Sequence, residues 1–300
     1  MIKQRLRSLV ATAGVLSVVA AGVFATSGVA LAFGGPKPPW ESSINPPLNG
    51  FITFYNSMGQ VVTGGKITAS GLGAYAVASS KDKRAGDVKA TLFVYTPVAA
   101  ENPGLWSGEQ ISLSANYPNK KAPAPIGSTN DPVETNKGTD ISLKDYIAAF
   151  PNVQTAKGYV GLYDVRLKVS GPGGLGVESQ YWDAVISVNT TRKTWSLDYP
   201  DYTKKTTTTL AASPKSPQKA PAKPVTLTAT VRPAMAGIVT FWRGKHRVGS
   251  PQRVTTKSGV AKVKTTPGTG TSKYVAIFTP TIGSHDIGSV STTIVYIVNK

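Results

Sequence analysis

Residues 206–242 read TTTTLAASPKSPQKAPAKPVTLTATVRPAMAGIVTFW. Within them Val225, Leu227, Ala229 and Val231 alternate with Thr226, Thr228 and Thr230. Successive side chains of a strand point to opposite faces, so a period of two gives one apolar face and one hydroxylic face. That is the pattern of a half-buried antiparallel strand. Pro233 and Gly237 interrupt the run, and a second strand is expected over 238–242.

The rest of the chain has the same texture. Its 300 residues include 30 Gly and 22 Pro, a mix that favours short strands and many turns over long helices. Strands are expected over 50–56, 73–79, 88–95, 110–115, 159–170, 181–188 and 194–199. One helix is expected over 143–149, with Ser142 and Asp145 in capping-box spacing and Pro151 as its stop. Residues 116–139 have no period and contain four prolines, so they read as a long loop, functional or merely mobile. About seven strands and one short helix between 49 and 202 predict a β-sandwich. Residues 203–300, with strands every 8–12 residues, predict a second sandwich.

The N-terminus reads as an export signal over 1–32. Lys3, Arg5 and Arg7 precede an apolar stretch that ends in Ala30-Leu31-Ala32, a small-x-small cleavage site. Residues 33–48 follow as a Pro- and Gly-rich extended leader. After cleavage no membrane span is expected, and the protein is expected to be secreted or held non-covalently at a surface. The chain has no cysteine, which excludes disulfides, iron–sulfur clusters, thiol catalysis and cysteine zinc sites.

From residue 206 the chain resembles the bacterial immunoglobulin-like repeats of secreted and cell-surface proteins of actinobacterial type. The resemblance rests on Thr206 to Leu210, Ser213-Pro214, the 224–231 strand and Gly237 to Phe241. Further on, Gly259-Val260-Ala261, the 274–280 stretch and the closing strand up to Val298 also match. It implies an immunoglobulin-like sandwich that serves adhesion, spacing or binding. The whole is then expected to be all-β with two sandwiches, the N-terminal one larger and immunoglobulin-like or jelly-roll-like. An echo of the repeat, Gly50 to Tyr55 beside Gly237 to Trp242, is also visible in the N-terminal part.

Charge is divided unevenly. The chain carries a formal charge of +18. Residues 201–300 hold 15 Lys and Arg against only Asp201 and Asp286, whereas residues 33–200 hold 15 against 13 acidic residues. A basic module outside the cell attracts polyanions. The candidate contacts are Lys215, Lys219, Lys223, Arg243, Lys245, Arg247, Arg253, Lys262 and Lys264. The expected partner is an anionic envelope polymer or polysaccharide. No nucleic-acid motif is present, so specific nucleic-acid binding is not expected.

Catalytic constellations are poor. The two histidines, His246 and His285, stand in no triad pattern, and no Gly-x-Ser-x-Gly elbow occurs. No cofactor or metal is expected, since neither a calcium loop nor a histidine pair at ligand spacing is found. The alternative function is carbohydrate binding or cleavage by the N-terminal sandwich. Trp106 and Trp182 are its candidate stacking rings, and Asp164 and Asp183 are carboxylates set within apolar strands.

Overall fold

The computed structural model describes Trp40 and residues 48–82, 84–174, 180–202, 204–284 and 286–300. The expected signal segment, the leader apart from Trp40 and Leu48, and His285 lie outside the described residues. Strands make up 49% of the structure against 6% helix, so the chain is all-β. Two compact units are present. Among the described residues one runs through Phe54, Val62–Tyr117 and Asp131–Asp201, and the other comprises Tyr55–Val61, Pro118–Asn130 and Tyr202–Lys300.

The principal elements of the first unit are β1 (Leu48–Tyr55), β2 (Tyr75–Ala78), β3 (Lys89–Tyr95), β4 (Val133–Thr135) and α1 (Leu143–Ala149). They are followed by β5 (Leu162–Ser170), β6 (Tyr181–Asn189) and β7 (Thr194–Tyr199). The sheet runs β3-β5-β6-β1-β2-β4, with β7 also on β6. β1 and β6 are parallel, while β5 is antiparallel to both its neighbours. Helix α1 begins where the capping box predicts: Ser142 Oγ accepts from the Asp145 N–H at 3.2 Å and donates to Asp145 Oδ2 at 2.9 Å.

Both faces of this sheet are covered. On one face Tyr163, Val165 and Leu167 of β5 pack with Trp182, Ala184 and Ile186 of β6, under Tyr146 of α1. On the other, Phe51, Leu162, Val185 and Tyr199 gather with Trp40 and Trp106. A strand buried on both faces loses the period-two contrast, which is why β5 reads as a long mixed run.

The 116–139 stretch is not a free loop. It contributes β4, paired with β2 at Val77↔Val133, and it buries Ile126 completely. Residues 118–130 group with the second unit. The expected 110–115 strand is likewise split, into Gly108–Gln110 and Ala115–Asn116.

The second unit contains β8 (Thr207–Ser213), β9 (Gln218–Lys219), β10 (Val225–Arg232), β11 (Gly237–Arg243) and β12 (His246–Val254). It closes with β13 (Val260–Thr265), β14 (Gly270–Pro280) and β15 (Ile294–Asn299). One sheet is β8-β10-β13 and the other β9-β15-β14-β11-β12. Val225, Leu227, Ala229 and Val231 are each 0% exposed, and they meet Val239, Phe241, Tyr274, Phe278 and Tyr296 in one core. Each large side chain so buried contributes about 1.5–3 kcal/mol relative to exposure. Gly237 is required by close approach: a Cβ there would collide with the Thr279 carbonyl and the Phe278 ring.

Candidate polyanion interface

Strand register fixes the ends of the second-unit sandwich. β10 begins at Val225, opposite Thr265 of β13, and β8 ends at Ser213, opposite Thr226. In the other sheet β11 ends at Arg243, opposite His246 and Tyr274, and Gly270 stands opposite Val298. The 233–236 turn joins Arg232 to Gly237, so the opposite termini of those strands also share an end. That end is called distal here; the end holding Thr207, Arg232 and Gly237 is called proximal.

The distal end gathers most of the unit's charge. Arg243, Lys245 and Arg247 flank a tight β11–β12 turn. Its Gly244 has φ +58°, and nothing stands within 4 Å of a Cβ built there, so glycine serves the left-handed backbone and not close packing. The Gly244 N–H donates to the Lys273 carbonyl at 3.2 Å, which brings Lys273 beside the turn. Lys219 is opposite Asn299, next to Lys300. Lys223 precedes β10, and its N–H donates to Gln218 Oε1 at 2.9 Å. Lys215 follows Pro214, whose carbonyl accepts from the Tyr296 hydroxyl at 3.0 Å. Lys264 is opposite Thr226.

Nine of the fifteen basic residues of 201–300 thus occupy one end, and all nine are exposed. Neither aspartate joins them. Asp286 stands opposite Lys204 in a short strand pairing near the proximal end, and Asp201 precedes the Lys204–Lys205 strand in sequence. Among the described residues no ion pair involves the nine. With no Asp or Glu side chain among them their fields add, and the sum reaches about a Debye length, ~10 Å at 0.1 M salt.

Of the nine residues singled out from the sequence, Lys215, Lys219, Lys223, Arg243, Lys245, Arg247 and Lys264 are brought together. Arg253, opposite Ile238, belongs to the proximal end, and Lys262, opposite Thr228, sits partway up β13. Sequence reasoning missed Lys273 and Lys300. Only cross-strand register places Lys273 beside the Arg243 turn.

Neither candidate stacking ring faces solvent. Trp182 is 0% exposed inside the main core, with its Nε1–H donating to Ser80 Oγ at 2.8 Å. Trp106 is buried edge-on against Trp40, with ring centroids 5.3 Å apart. Both rings are consumed by packing, so the expectation of a glycan-stacking role is corrected.

The carboxylates set in strands are also interior. Asp164 and Asp183 are each 0% exposed. Arg166 Nε donates to Asp164 Oδ2 at 2.7 Å, and Arg166 is opposite Asp183 across β5 and β6. Its guanidinium carbon lies 4.3 Å from the ring centroids of both Tyr95 and Tyr181. Burial alone would lower the Arg166 pKa, but the Asp164 carboxylate and the Tyr181 hydroxyl outweigh it and hold it above its ordinary value. A charged pair wrapped in aromatic rings ties three strands together and is closed to substrate.

Glu134 and Asp140 form a second buried acidic pair. Burial pushes the Glu134 carboxyl well up, and the Asp140 charge adds to that. Burial also raises Asp140, partly offset by the Leu113 N–H it accepts. Among the described residues no three or more His, Cys, Asp or Glu side chains gather as a metal site. No helix among them is long and apolar enough to cross a membrane. An open groove of about 360 Å³ lies toward the proximal end, between Lys204, Met235, Thr256, Ser284 and Asp286.

No known protein family matches this chain, and no curated protein matches it.

Proposed function

We propose that this is an exported, non-catalytic surface or matrix protein. Its C-terminal unit, an immunoglobulin-like module, attaches the protein to an anionic envelope polymer through its distal end. The observation that carries this reading is the segregation of charge: nine exposed basic residues at one end of the sandwich, with neither aspartate among them. An even scatter of the same charge would serve solubility; concentration at one end gives a directed field. The distal end is built from turns on a rigid two-sheet scaffold, a place where binding residues can vary without cost to the core. The interior positions of Trp106 and Trp182 leave the carbohydrate alternative without its stacking rings.

The test is retention of the purified protein on isolated cell envelopes across a salt series. Retention is expected to fall steeply between about 0.1 M and 1 M salt, as the screening length shrinks from ~10 Å to ~3 Å. Reversal of Arg243, Lys245 and Arg247 to Glu is expected to abolish it at low salt. Retention indifferent to both salt and reversal would defeat the proposal.

A further inference from the structure

The outward face of the three-stranded sheet is a hydroxyl array that shares only Lys264 with the distal cluster. Register puts Thr209, Thr230 and Val260 in one cross-strand row. Ala211, Thr228 and Lys262 form the next, and Ser213, Thr226 and Lys264 the third. Thr207 and Arg232 stand opposite each other at the proximal end of this face. Their partners in the alternation, from Val225 to Val231, fill the core, so these side chains all point away from it. None of them is fully buried, no acidic residue stands on these three strands, and the face carries no aromatic ring. Rows repeat every ~6.7 Å along a strand, with neighbouring strands ~4.8 Å apart. Lys264 and Lys262 therefore form a short basic rail on two adjacent rows of the β13 edge, leading from the distal cluster beside the threonines of the central strand.

We propose that this face is the binding track for an extended polyol-phosphate chain, the lysine rail meeting successive phosphates and the threonine and serine hydroxyls meeting the polyol and phosphate oxygens. The proposal rests on the polyanion reading above and names its partner. Charge complementarity selects an anion. The row spacing suits phosphates separated by a three-carbon polyol. Hydroxyls both donate and accept, as polyol recognition requires. The lack of aromatic rings disfavours single-stranded nucleic acid, whose bases stack on such rings, and sugars held by ring stacking.

The experiment measures binding of the full chain to a fluorescent glycerol-phosphate oligomer of ten repeats, beside polyglutamate and a polyuronate of equal charge. The wild type is expected to bind the glycerol-phosphate oligomer at least tenfold more tightly than the other two. Thr228→Val with Thr230→Val keeps shape and strand preference, removes two hydroxyls, and is expected to erase that preference. Thr228→Ser with Thr230→Ser is expected to retain it, and thermal melts verify that both variants fold. Lys262→Gln with Lys264→Gln is expected to lower the salt dependence for the oligomer. Equal binding of the three polymers by the wild type, a preference for polyuronate, or valine variants that keep the full preference would each overturn the track. In those cases loss of all binding on reversal of Arg243, Lys245 and Arg247 would leave the electrostatic reading standing. Binding indifferent to that reversal would overturn the electrostatic reading itself.

Discussion

Asp198 should make the protein less stable as pH rises through the mildly acidic range. It lies on β7, half-buried, and its Oδ1 accepts one hydrogen bond from Ser187 Oγ at 3.1 Å. Burial lifts its pKa from the ordinary 3.8 to about 6, with the Ser187 hydroxyl partly opposing the rise. The folded state then holds this proton more tightly than the unfolded chain does. Its stabilising effect is full below about pH 4 and is lost as pH climbs through about 6. The whole interval corresponds to about 3 kcal/mol at 1.36 kcal/mol per pH unit. Access of water to a half-buried group screens this to about 1.5 kcal/mol. Asp198→Asn keeps an acceptor for Ser187 and removes the charge. Urea denaturation of both proteins from pH 3.5 to 8 isolates the contribution, because every other titrating group is common to the pair. The variant is expected to be more stable by about 1.5 kcal/mol at pH 8 and equal to the wild type, within error, at pH 3.5. A difference independent of pH, or a wild type that is the more stable at pH 8, would refute the reasoning.

Glu134→Gln is expected to raise the melting temperature at pH 7 but not at pH 4, because burial and Asp140 both disfavour the ionised form; equal effects at the two pH values would count against it. Leu227→Ala should cost about 2–5 kcal/mol in chemical denaturation, whereas Thr228→Val, one residue on and outward-facing, should stay within about 0.5 kcal/mol. Gly237→Ala should cost about 1–3 kcal/mol, since the added methyl meets the Thr279 carbonyl and the Phe278 ring; a neutral result would show that β11 shifts freely. Raising salt from 0.02 to 0.5 M should stabilise the wild type by relieving repulsion at the distal end, and the Arg243, Lys245, Arg247 reversal should blunt that gain in thermal melts.

How far the sequence was legible depends on how many faces of each strand are buried. β10 is covered on one face only, so its alternation declares both the strand and the direction of every side chain. β5 is covered on both, and its polar residues, Asp164 and Arg166, are buried as deeply as Val165 and Leu167. Alternation there signals two different environments, one apolar and one ionic, and cannot tell either from solvent. Trp182 failed as a stacking candidate for the same reason: an aromatic side chain in a doubly covered sheet is core first. Trp106, in the bend after a short 3-10 turn, is withdrawn instead by packing against Trp40. The loop at 116–139 concealed β4 because a three-residue strand is too short for a period to show. The basic character of residues 201–300 could be counted, but the gathering of nine of its fifteen Lys and Arg at one end could not. That gathering follows from pairings between residues far apart in the chain, such as Lys219 with Asn299 and Arg243 with Tyr274.

The distribution of charge also separates what holds the second unit together from what it presents. Its core is made by the inward halves of β10, β11 and β14, with Val225, Val231, Phe241 and Phe278 nearly or wholly withdrawn from water. The basic residues lie on turns and outward positions and, among the described residues, share no ion pair with that core. Each brings its neighbours repulsion instead of support, a cost that grows as salt falls. The gathering of nine of them at one end therefore has no explanation in stability. It concentrates repulsion where an even spread would have diluted it. On the proposed function, a polyanion laid on the distal end would relieve that repulsion as it bound, so a single arrangement would both disfavour the free module and favour the occupied one.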